Sequence, residues 1–261
     1  VKIRYYAFRE RLMRKIFKKP KSLKSSPFRY CPGCGHGLVH RLIGECIDLF
    51  RIRDKVIGIA PVGCAVFAYD YFNFDMLEAA HGRPPAVATA LKRVMPDKII
   101  FSYQGDGDLA AIGTAEIIHA ASRGENLSVF FINNATYGMT GGQMAPTTIL
   151  GQRTTTTPTG RDFKTSGYPL RVSELLSTIK GVSFIQRVSV DSYKNLVIAK
   201  NAIEKAFRYQ IEEKGFSFVE ILSPCPTDWG LTPKASLEWI RTALIHTYPL
   251  GTIKDRFREN S

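Results

Sequence analysis

No stretch of the 261 residues approaches the roughly 20 consecutive apolar residues that span a bilayer. The N-terminal segment is charged throughout and lacks the apolar core of a secretory signal. A cytoplasmic protein without a membrane partner is expected. Cysteine is sparse, at 5 residues. In such a chain so few cysteines favour metal binding or catalysis over disulfides. Acids are also in short supply: 23 Asp and Glu stand against 36 Lys and Arg, for a net charge of +13. No internal repeat is visible, and no interdomain linker follows residue 30. What is present is apolar content, 44% of residues, enough for the core of one large α/β domain or two small ones.

The excess of base is local. Residues 1–29 carry 11 Lys and Arg against Glu10 alone, so 10 of the 13 net charges sit in this arm. A basic arm suits nucleic acid, an anionic surface or an acidic protein. This one also carries Ile3, Tyr5, Tyr6, Phe8, Leu12, Ile16 and Phe17, apolar surface that favours docking on a neighbouring subunit over nucleic acid. The expected division is a docking arm over 1–29, a body over 30–235, and a C-terminal helix and tail over 236–261.

The body is organised around Gly105 to Asn134. Asp97–Gln104 and Leu127–Ile132 read as buried strands, and Leu109–Arg123 between them, rich in Ala, Ile and Leu, predicts a helix. A βαβ unit makes the strands parallel. Gly105-Asp106-Gly107-Asp108 and Asn133-Asn134 then both fall past carboxyl ends of strands, at the edge where open α/β sheets bind ligands. Gly105 to Ala110 formally fits a dinucleotide fingerprint, but the acid that should end the next strand and hold a ribose is absent. Asp106 also lies between the glycines, where a pyrophosphate comes closest. A bare carboxylate there repels a diphosphate; a divalent cation between them reverses the sign. Mg²⁺ suits a carboxylate, an amide oxygen and a backbone carbonyl, with phosphate oxygens completing its shell. A helix start near Asp108 offers N–H groups to the phosphates. Gly-Asp-Gly followed by Asn-Asn at this spacing resembles the thiamine diphosphate motif. The resemblance implies that Asp106, Asn134 and the carbonyl of Thr136 hold Mg²⁺.

Upstream, Cys31-Pro32-Gly33-Cys34-Gly35-His36 reads as a tight turn that points two thiols one way, a metal knuckle. His36–Phe50 predicts a helix with Cys46 on its apolar face, where a free cysteine packs as core. Lys55–Ala60 predicts a strand, with Cys64 in the loop beyond it. Tyr69–Phe74 is aromatic, suited to a subunit contact or an active-site wall. His81 precedes a helix over Ala86–Val94, near the ligand-binding edge. Gly138, Gly141 and Gly142 allow backbone close to a ligand. Residues 145–170 lack periodicity, as a lid or subunit contact would. A short helix over Arg171–Ile179, a strand over Val182–Val188, an amphipathic helix over Ser192–Glu213 and a strand over Phe216–Leu222 follow, ending at Ser223-Pro224-Cys225-Pro226. The tail from Ser236 predicts a helix and a charged end.

Cys31, Cys34, Cys64 and Cys225 thus sit on loops beside Pro or Gly, two of them on the edge that carries Asp106. Four thiolates fit zinc or an iron–sulfur cluster. Zinc ribbons pair two Cys-x-x-Cys knuckles. Here the second knuckle is lacking, and two distant single cysteines near a cofactor favour an electron-transfer cluster. With Gly63-Cys64, His81-Gly82-Arg83 and Gly138-Met139-Thr140, these motifs resemble the β subunit of 2-oxoacid:ferredoxin oxidoreductases over roughly residues 28–230.

The resemblance implies an α/β fold: an open, mostly parallel sheet with helices on both faces, of the thiamine diphosphate-binding type. It implies thiamine diphosphate, Mg²⁺ and one [4Fe–4S] cluster on Cys31, Cys34, Cys64 and Cys225. It implies a cofactor pocket of Gly63, Cys64, His81, Gly105, Asp106, Gly107, Asp108, Asn134, Thr136, Gly138, Met139 and Thr140, with His81 catalytic. The implied reaction is CoA-dependent oxidative decarboxylation of a 2-oxoacid, of the 2-oxoglutarate or branched-chain type, with electrons passed through the cluster to ferredoxin. An α subunit carrying the pyrimidine-binding domain is expected, and further small subunits are allowed. Phe67 and Gly141 stand where some members carry lysine, so a second substrate carboxylate would need Arg83, Arg153 or the partner. The alternatives are a non-redox thiamine decarboxylase subunit, which has no use for four cysteines, and a zinc-stabilised nucleic-acid-binding protein, which has none for the Gly-Asp-Gly turn.

Overall fold

A computed structural model describes residues 18–257. Helix α1 (His36–Phe50) buries Val39, Leu42, Ile43, Cys46 and Ile47, a stripe at helical spacing, and ends where Arg51 turns left-handed at φ 57°. Strands β1 (Val56–Ala60) and β2 (Asp75–Glu78) follow. Helix α2 (Pro84–Val94) opens with two prolines, tolerated there because the first helical amides need no intrahelical partner. Then come β3 (Ile99–Gly105), α3 (Thr114–Ser122) and β4 (Ser128–Asn133). The second half runs α4 (Val172–Ser177), β5 (Val182–Ser189), α5 (Tyr193–Ile211), β6 (Phe216–Leu222), α6 (Pro226–Trp229), α7 (Pro233–Trp239) and β7 (Gly251–Asp255).

The strand order is β2-β1-β3-β4-β6-β5-β7, and every pairing is parallel except β5 with β7. This is the expected open, mostly parallel sheet. Strands β4 and β6 are buried at every position, as parallel strands are when helices cover both faces. Side chains alternate: Phe101, Phe130, Ile132, Val219 and Ile221 join the core under α1 and α5, while Ile100, Val129, Phe131 and Phe218 join the core under α2, α3 and α4.

Several local expectations give way. The helix over Leu109–Arg123 is broken: a widened turn spans Asp108–Ile112, and α3 starts at Thr114. Gly113 at the break lies against Gly82, and a Cβ there would stand 2.6 Å from the Asp108 carbonyl oxygen and 2.8 Å from that of Gly82. None of Tyr69–Phe74 lines the cleft at the carboxyl edge of the sheet: Phe72 is fully buried against Phe101 and Tyr71 is nearly so, while Tyr69 and Phe74 are half-buried and Asn73 is exposed. Cys64 opens a single helical turn, Cys64–Phe67, instead of lying in open loop. The tail holds a strand, β7, after its helices. Nothing in the sequence pattern marks β2 or β7, because both are edge strands held by main-chain pairing with few buried side chains. Residues 1–17 of the basic arm lie outside the described residues. The portion from Lys18 onward runs along α1, where the Ser22 amide and hydroxyl both donate to Asp48. No helix among the described residues is long and apolar enough to cross a membrane.

Candidate active site

Because β1, β3, β4 and β6 run parallel, their carboxyl ends meet at one edge of the sheet. The loops leaving them carry Gly63-Cys64, Gly105–Asp108, Asn134–Thr136 and Cys225. Strands β1 and β3 are neighbours, yet the chain leaves β1 for β2 on the far side, so the connections diverge and open a crevice between them. A cavity of about 310 Å³ lies there. It is lined by Gly63, Cys64, His81, Gly105, Asp106, Gly107, Asp108, Asn134, Thr136, Gly138, Met139 and Thr140, every pocket residue named from the sequence. His36, Val62, Ala65, Ile112 and Tyr137 also line it.

Asp106 is 3% exposed. Its Oδ1 accepts from the Gly107 amide at 2.9 Å, and its Oδ2 accepts from the Thr136 amide at 3.1 Å and the Thr147 hydroxyl at 2.8 Å. Burial pushes its carboxyl up to about 7, against the pull of those donors. Asn134 presents one terminal amide atom 3.0 Å from Asp106 Oδ2 and 2.8 Å from the Thr136 carbonyl oxygen. With nitrogen in that place the amide donates to both. With oxygen there, three oxygens face one another, so what occupies the site decides which way the amide lies. Ala135 makes the left-handed turn, φ 56°, that brings Asn134 and Thr136 round to Asp106. Gly107 lies under the Tyr137 ring, where a Cβ would stand 2.7 Å from Cδ1.

Asp108 does not face the cavity as a free acid. Its Oδ1 meets His81 Nδ1 and the Gly82 amide, each at 2.5 Å, and its Oδ2 accepts from Gln104 Nε2 at 2.6 Å. The carboxylate keeps a proton on Nδ1, so Nε2 is the nitrogen through which His81 can exchange a proton with a ligand. Arg83 pairs with Glu116, and Arg153 donates to the Pro158 carbonyl. Neither lines the cavity, nor does any other described Lys or Arg.

The knuckle closes through Cys34 N–H to the Cys31 carbonyl at 3.0 Å, with Gly33 at φ 81°. Gly35 sits so close to Ser223 and Pro224 that a Cβ would stand 2.2 Å from Ser223 Oγ, which seats the knuckle on the Cys225 loop. Burial raises the Cys34 thiol to about 11 and the Cys64 thiol to about 12, and lifts Cys225 further. Each also feels its neighbours: Cys34 feels Cys31 and Asp228, and Cys64 and Cys225 both feel Cys34 and Asp228. The four sulfurs therefore share one neighbourhood. The Cys225 thiol donates to Asp228 Oδ2 at 3.0 Å, and Cys64 Sγ lies 3.3 Å from the place of a Cβ on Gly138, at the cavity wall. Among the described residues, no three His, Cys, Asp or Glu side chains are near enough to hold a single metal ion. Cys46 lies apart, fully buried in the core with its thiol pushed up to about 12 by burial.

Other residues support the site from behind, and of these only His36 belongs to a motif read from the sequence. Tyr30 stacks on His36 with ring centres 4.8 Å apart and donates to the Cys64 carbonyl at 3.1 Å. His36 Nδ1 meets the Tyr103 hydroxyl at 2.5 Å, and burial lowers its pKa to about 4, so it is neutral. Arg161 is 6% exposed and donates to the carbonyls of Ala145, Pro146, Thr148, Ser166, Gly167 and Tyr168, which ties the two ends of the long 145–170 loop together. Nothing in the Thr- and Pro-rich run sets Arg161 apart from Arg153 for that role. Trp229 Nε1 donates to the Asn134 carbonyl at 3.0 Å.

Residues 61–221 match the thiamine pyrophosphate enzyme family at its C-terminal TPP-binding domain. The chain is similar to the ketoisovalerate oxidoreductase subunit VorA of Methanothermobacter thermautotrophicus, with 46% identity over 258 residues, covering 95% of this chain and 54% of that protein. It is similar to the 2-oxoglutarate synthase subunit KorB of Methanocaldococcus jannaschii, with 36% identity over 239 residues, covering 89% of this chain and 83% of that one. The chain spans about half the length of the VorA relative. Its fold resembles that of a solved 2-oxoglutarate:ferredoxin oxidoreductase from Magnetococcus marinus with 2-oxoglutarate, coenzyme A and succinyl-CoA bound, at a TM-score of 0.73 and 23% identity over 94% of this chain and 87% of that one.

Proposed function

Since the chain belongs to the thiamine pyrophosphate enzymes, among the subunits of 2-oxoacid:ferredoxin oxidoreductases, we propose that it is the diphosphate-binding, cluster-bearing subunit of an enzyme that converts a 2-oxoacid and CoA to an acyl-CoA and CO₂, with ferredoxin as electron acceptor. The observation that carries this reading is the meeting of Asp106, Asn134 and the Thr136 carbonyl in the cleft. Neighbouring oxygens of an octahedral Mg²⁺ shell lie about 2.9 Å apart. The Asn134 amide atom stands 3.0 and 2.8 Å from its two oxygen neighbours. A cation between them fits with Asn134 presenting Oδ1, and its charge would ionise the buried Asp106. Asp106, Asn134 and Thr136 would hold Mg²⁺, and Gly105 and Gly107 would let the diphosphate approach.

Cys31, Cys34, Cys64 and Cys225 would hold the cluster. A zinc ion draws four sulfurs to within about 3.8 Å of one another, since each Zn–S bond is about 2.3 Å; a four-iron cube needs them farther apart. One Cys-x-x-Cys knuckle joined by two distant single cysteines beside the cofactor cleft favours the cluster over zinc. When bound, thiamine diphosphate would supply the carbanion chemistry that releases CO₂, and a cluster on these cysteines would supply one-electron transfer. His81, held by Asp108 through Nδ1, lines the cleft and would use Nε2 to hold or move a proton. The pyrimidine-binding domain comes from an α subunit.

For the substrate, Val62, Ala65, Ile112 and Met139 line the cavity, and no described Lys or Arg does. That favours a 2-oxoacid with an apolar, branched side chain over 2-oxoglutarate. The test is iron, acid-labile sulfide, zinc and thiamine diphosphate content of the anaerobically purified complex, then CoA-dependent dye reduction with a 2-oxoacid panel. Four irons, four sulfides and one thiamine diphosphate per chain, with 3-methyl-2-oxobutanoate ahead of 2-oxoglutarate, are expected. One zinc and no thiamine diphosphate would overturn the reading.

A further inference from the structure

Asp106 is held from behind by a closed circuit of buried groups. Thr147 Oγ1 donates to Asp106 Oδ2 at 2.8 Å, and the Thr147 carbonyl accepts from the Tyr248 hydroxyl at 2.6 Å. The Tyr248 ring lies 5.4 Å from the centre of the Arg187 guanidinium. Arg187 Nε donates to Glu220 Oε2 at 2.8 Å, and Glu220 Oε1 accepts from Asn133 Nδ2 at 2.8 Å. Asn133 Oδ1 accepts from the Ala135 amide at 3.1 Å, and the next amide, Thr136, returns to Asp106 Oδ2. Every residue of the circuit is at most 3% exposed. Arg187, Glu220, Asn133, Thr147 and Tyr248 are absent from the cavity lining.

A buried ion pair is weak evidence for stability, because apolar residues of similar volume often serve as well or better. What charged and hydrogen-bonded groups add is direction. Arg187 is fixed on its other side by both Glu174 oxygens, at 2.9 and 2.6 Å, so it cannot drift. One arm of the circuit ends on the Asp106 carboxylate, and the other ends on the left-handed turn that carries Asn134 and Thr136. From this we infer that Arg187, Glu220 and Tyr248 are positioning residues for the cation: they hold Asp106 and the Asn133–Thr136 turn at the separation that the small Mg²⁺ ion needs. This rests on the reading of the cleft as an Mg²⁺–thiamine diphosphate site. Mg²⁺ sits about 2.0–2.1 Å from its oxygens and Ca²⁺ about 2.3–2.6 Å, so a stiff frame selects the smaller ion and a loosened one does not.

Tyr248→Phe keeps the ring over Arg187 and removes only the hydroxyl. Glu220→Gln keeps the shape and an acceptor for Asn133 and removes the charge opposite Arg187. The complex of each is stripped with chelator and titrated with Mg²⁺ or Ca²⁺ at fixed thiamine diphosphate. Retained cofactor is read as thiochrome fluorescence after rapid desalting, with thermal melts of the stripped protein in parallel. Tyr248→Phe is expected to raise the half-saturating Mg²⁺ concentration about tenfold, to raise that for Ca²⁺ less, and to leave the melt near wild type. Glu220→Gln is expected to lower the Mg²⁺ preference in the same sense. Wild-type Mg²⁺ midpoints and preference in both variants overturn the inference and leave the site reading intact. So do midpoints for both ions that rise equally and in step with a lowered melt. No cation-dependent cofactor retention in the wild type overturns the site reading itself, and the inference with it.

Discussion

His81 Nδ1 and Asp108 Oδ1 stand 2.5 Å apart, and the same oxygen takes the Gly82 amide. Ring and backbone of the His81 loop therefore hang on one buried acid. Asp108→Asn keeps the shape but replaces an acceptor by a group that must donate at one pole, so His81 loses its fixed tautomer. The expected loss is roughly 10²-fold or more in kcat, with the Mg²⁺ requirement unchanged and the pH–rate profile altered. An unaltered profile would remove His81 from proton handling.

Gly82→Ala acts on the same loop by a different force. Gly82 is at φ 78°, and a Cβ there meets the Gly113 nitrogen at 2.8 Å and the Ile112 carbonyl carbon at 2.8 Å. Both obstacles are backbone. A destabilisation of about 1–3 kcal/mol is expected from the strain alone, read from the denaturant midpoint at unchanged m-value. A midpoint equal to wild type would contradict the close approach of these two loops.

Metal binding should compete with a proton. In the metal-free protein the Asp106 carboxyl is raised from 3.8 to about 7 by burial. Between those values the folded state holds a proton that the unfolded state does not, so this group lowers stability as pH rises through that window and adds nothing further above it. At the proposed site Mg²⁺ would have to displace that proton below about pH 7. Calorimetry in buffers of different ionisation enthalpy should show proton release at pH 6 that vanishes by pH 8.

His36 works in the opposite sense. Its folded pKa is lowered from 6.5 to about 4 by burial, and burial lowers His40 as well. A depressed pKa gives stability that is complete above 6.5 and lost as pH falls toward about 4. The loaded protein is the one to measure, because bound Mg²⁺ keeps Asp106 ionised and removes its contrary slope. Unfolding free energy should fall on acidification through that range; a flat profile would contradict the buried neutral pair.

The cysteines should divide four to one. Cys46→Ala should leave iron and sulfide content at wild type and cost only packing, since Cys46 is fully buried in the core. Alanine at Cys31, Cys34, Cys64 or Cys225 should lower both contents in anaerobic preparations. Iron loss from Cys46→Ala alone would mean that the ligand set has been misassigned.

What the sequence made legible follows the range of the interactions. Strands β1, β3, β4 and β6 stand out because both faces are buried and the residues are correspondingly apolar. Gly105–Asp108 and Asn133-Asn134 are readable because one βαβ unit fixes their relation. The helix break at Gly113 is not readable, since it depends on Gly82 arriving from another loop. The circuit behind Asp106 is less readable still. Its links join Thr147 to Asp106 across 41 positions, Asn133 to Glu220 across 87 and Tyr248 to Thr147 across 101. A single sequence carries no local pattern for contacts so distant. Polar residues in apolar strands, such as Glu220 in β6, are the trace they leave.

Helix α6 begins after Cys225 and ends at Trp229, whose indole holds the Asn134 carbonyl. In the proposed enzyme those two anchors belong to the redox centre and to the carbon chemistry. Electron tunnelling decays exponentially with the gap, so thermal fluctuation of the gap is fluctuation of the rate. A single helical turn of covalent chain between those anchors would make their separation a fixed length instead of a loop's breathing distance. In that enzyme the helix would be a spacer, and lengthening it by one residue would change the wire without changing either terminal.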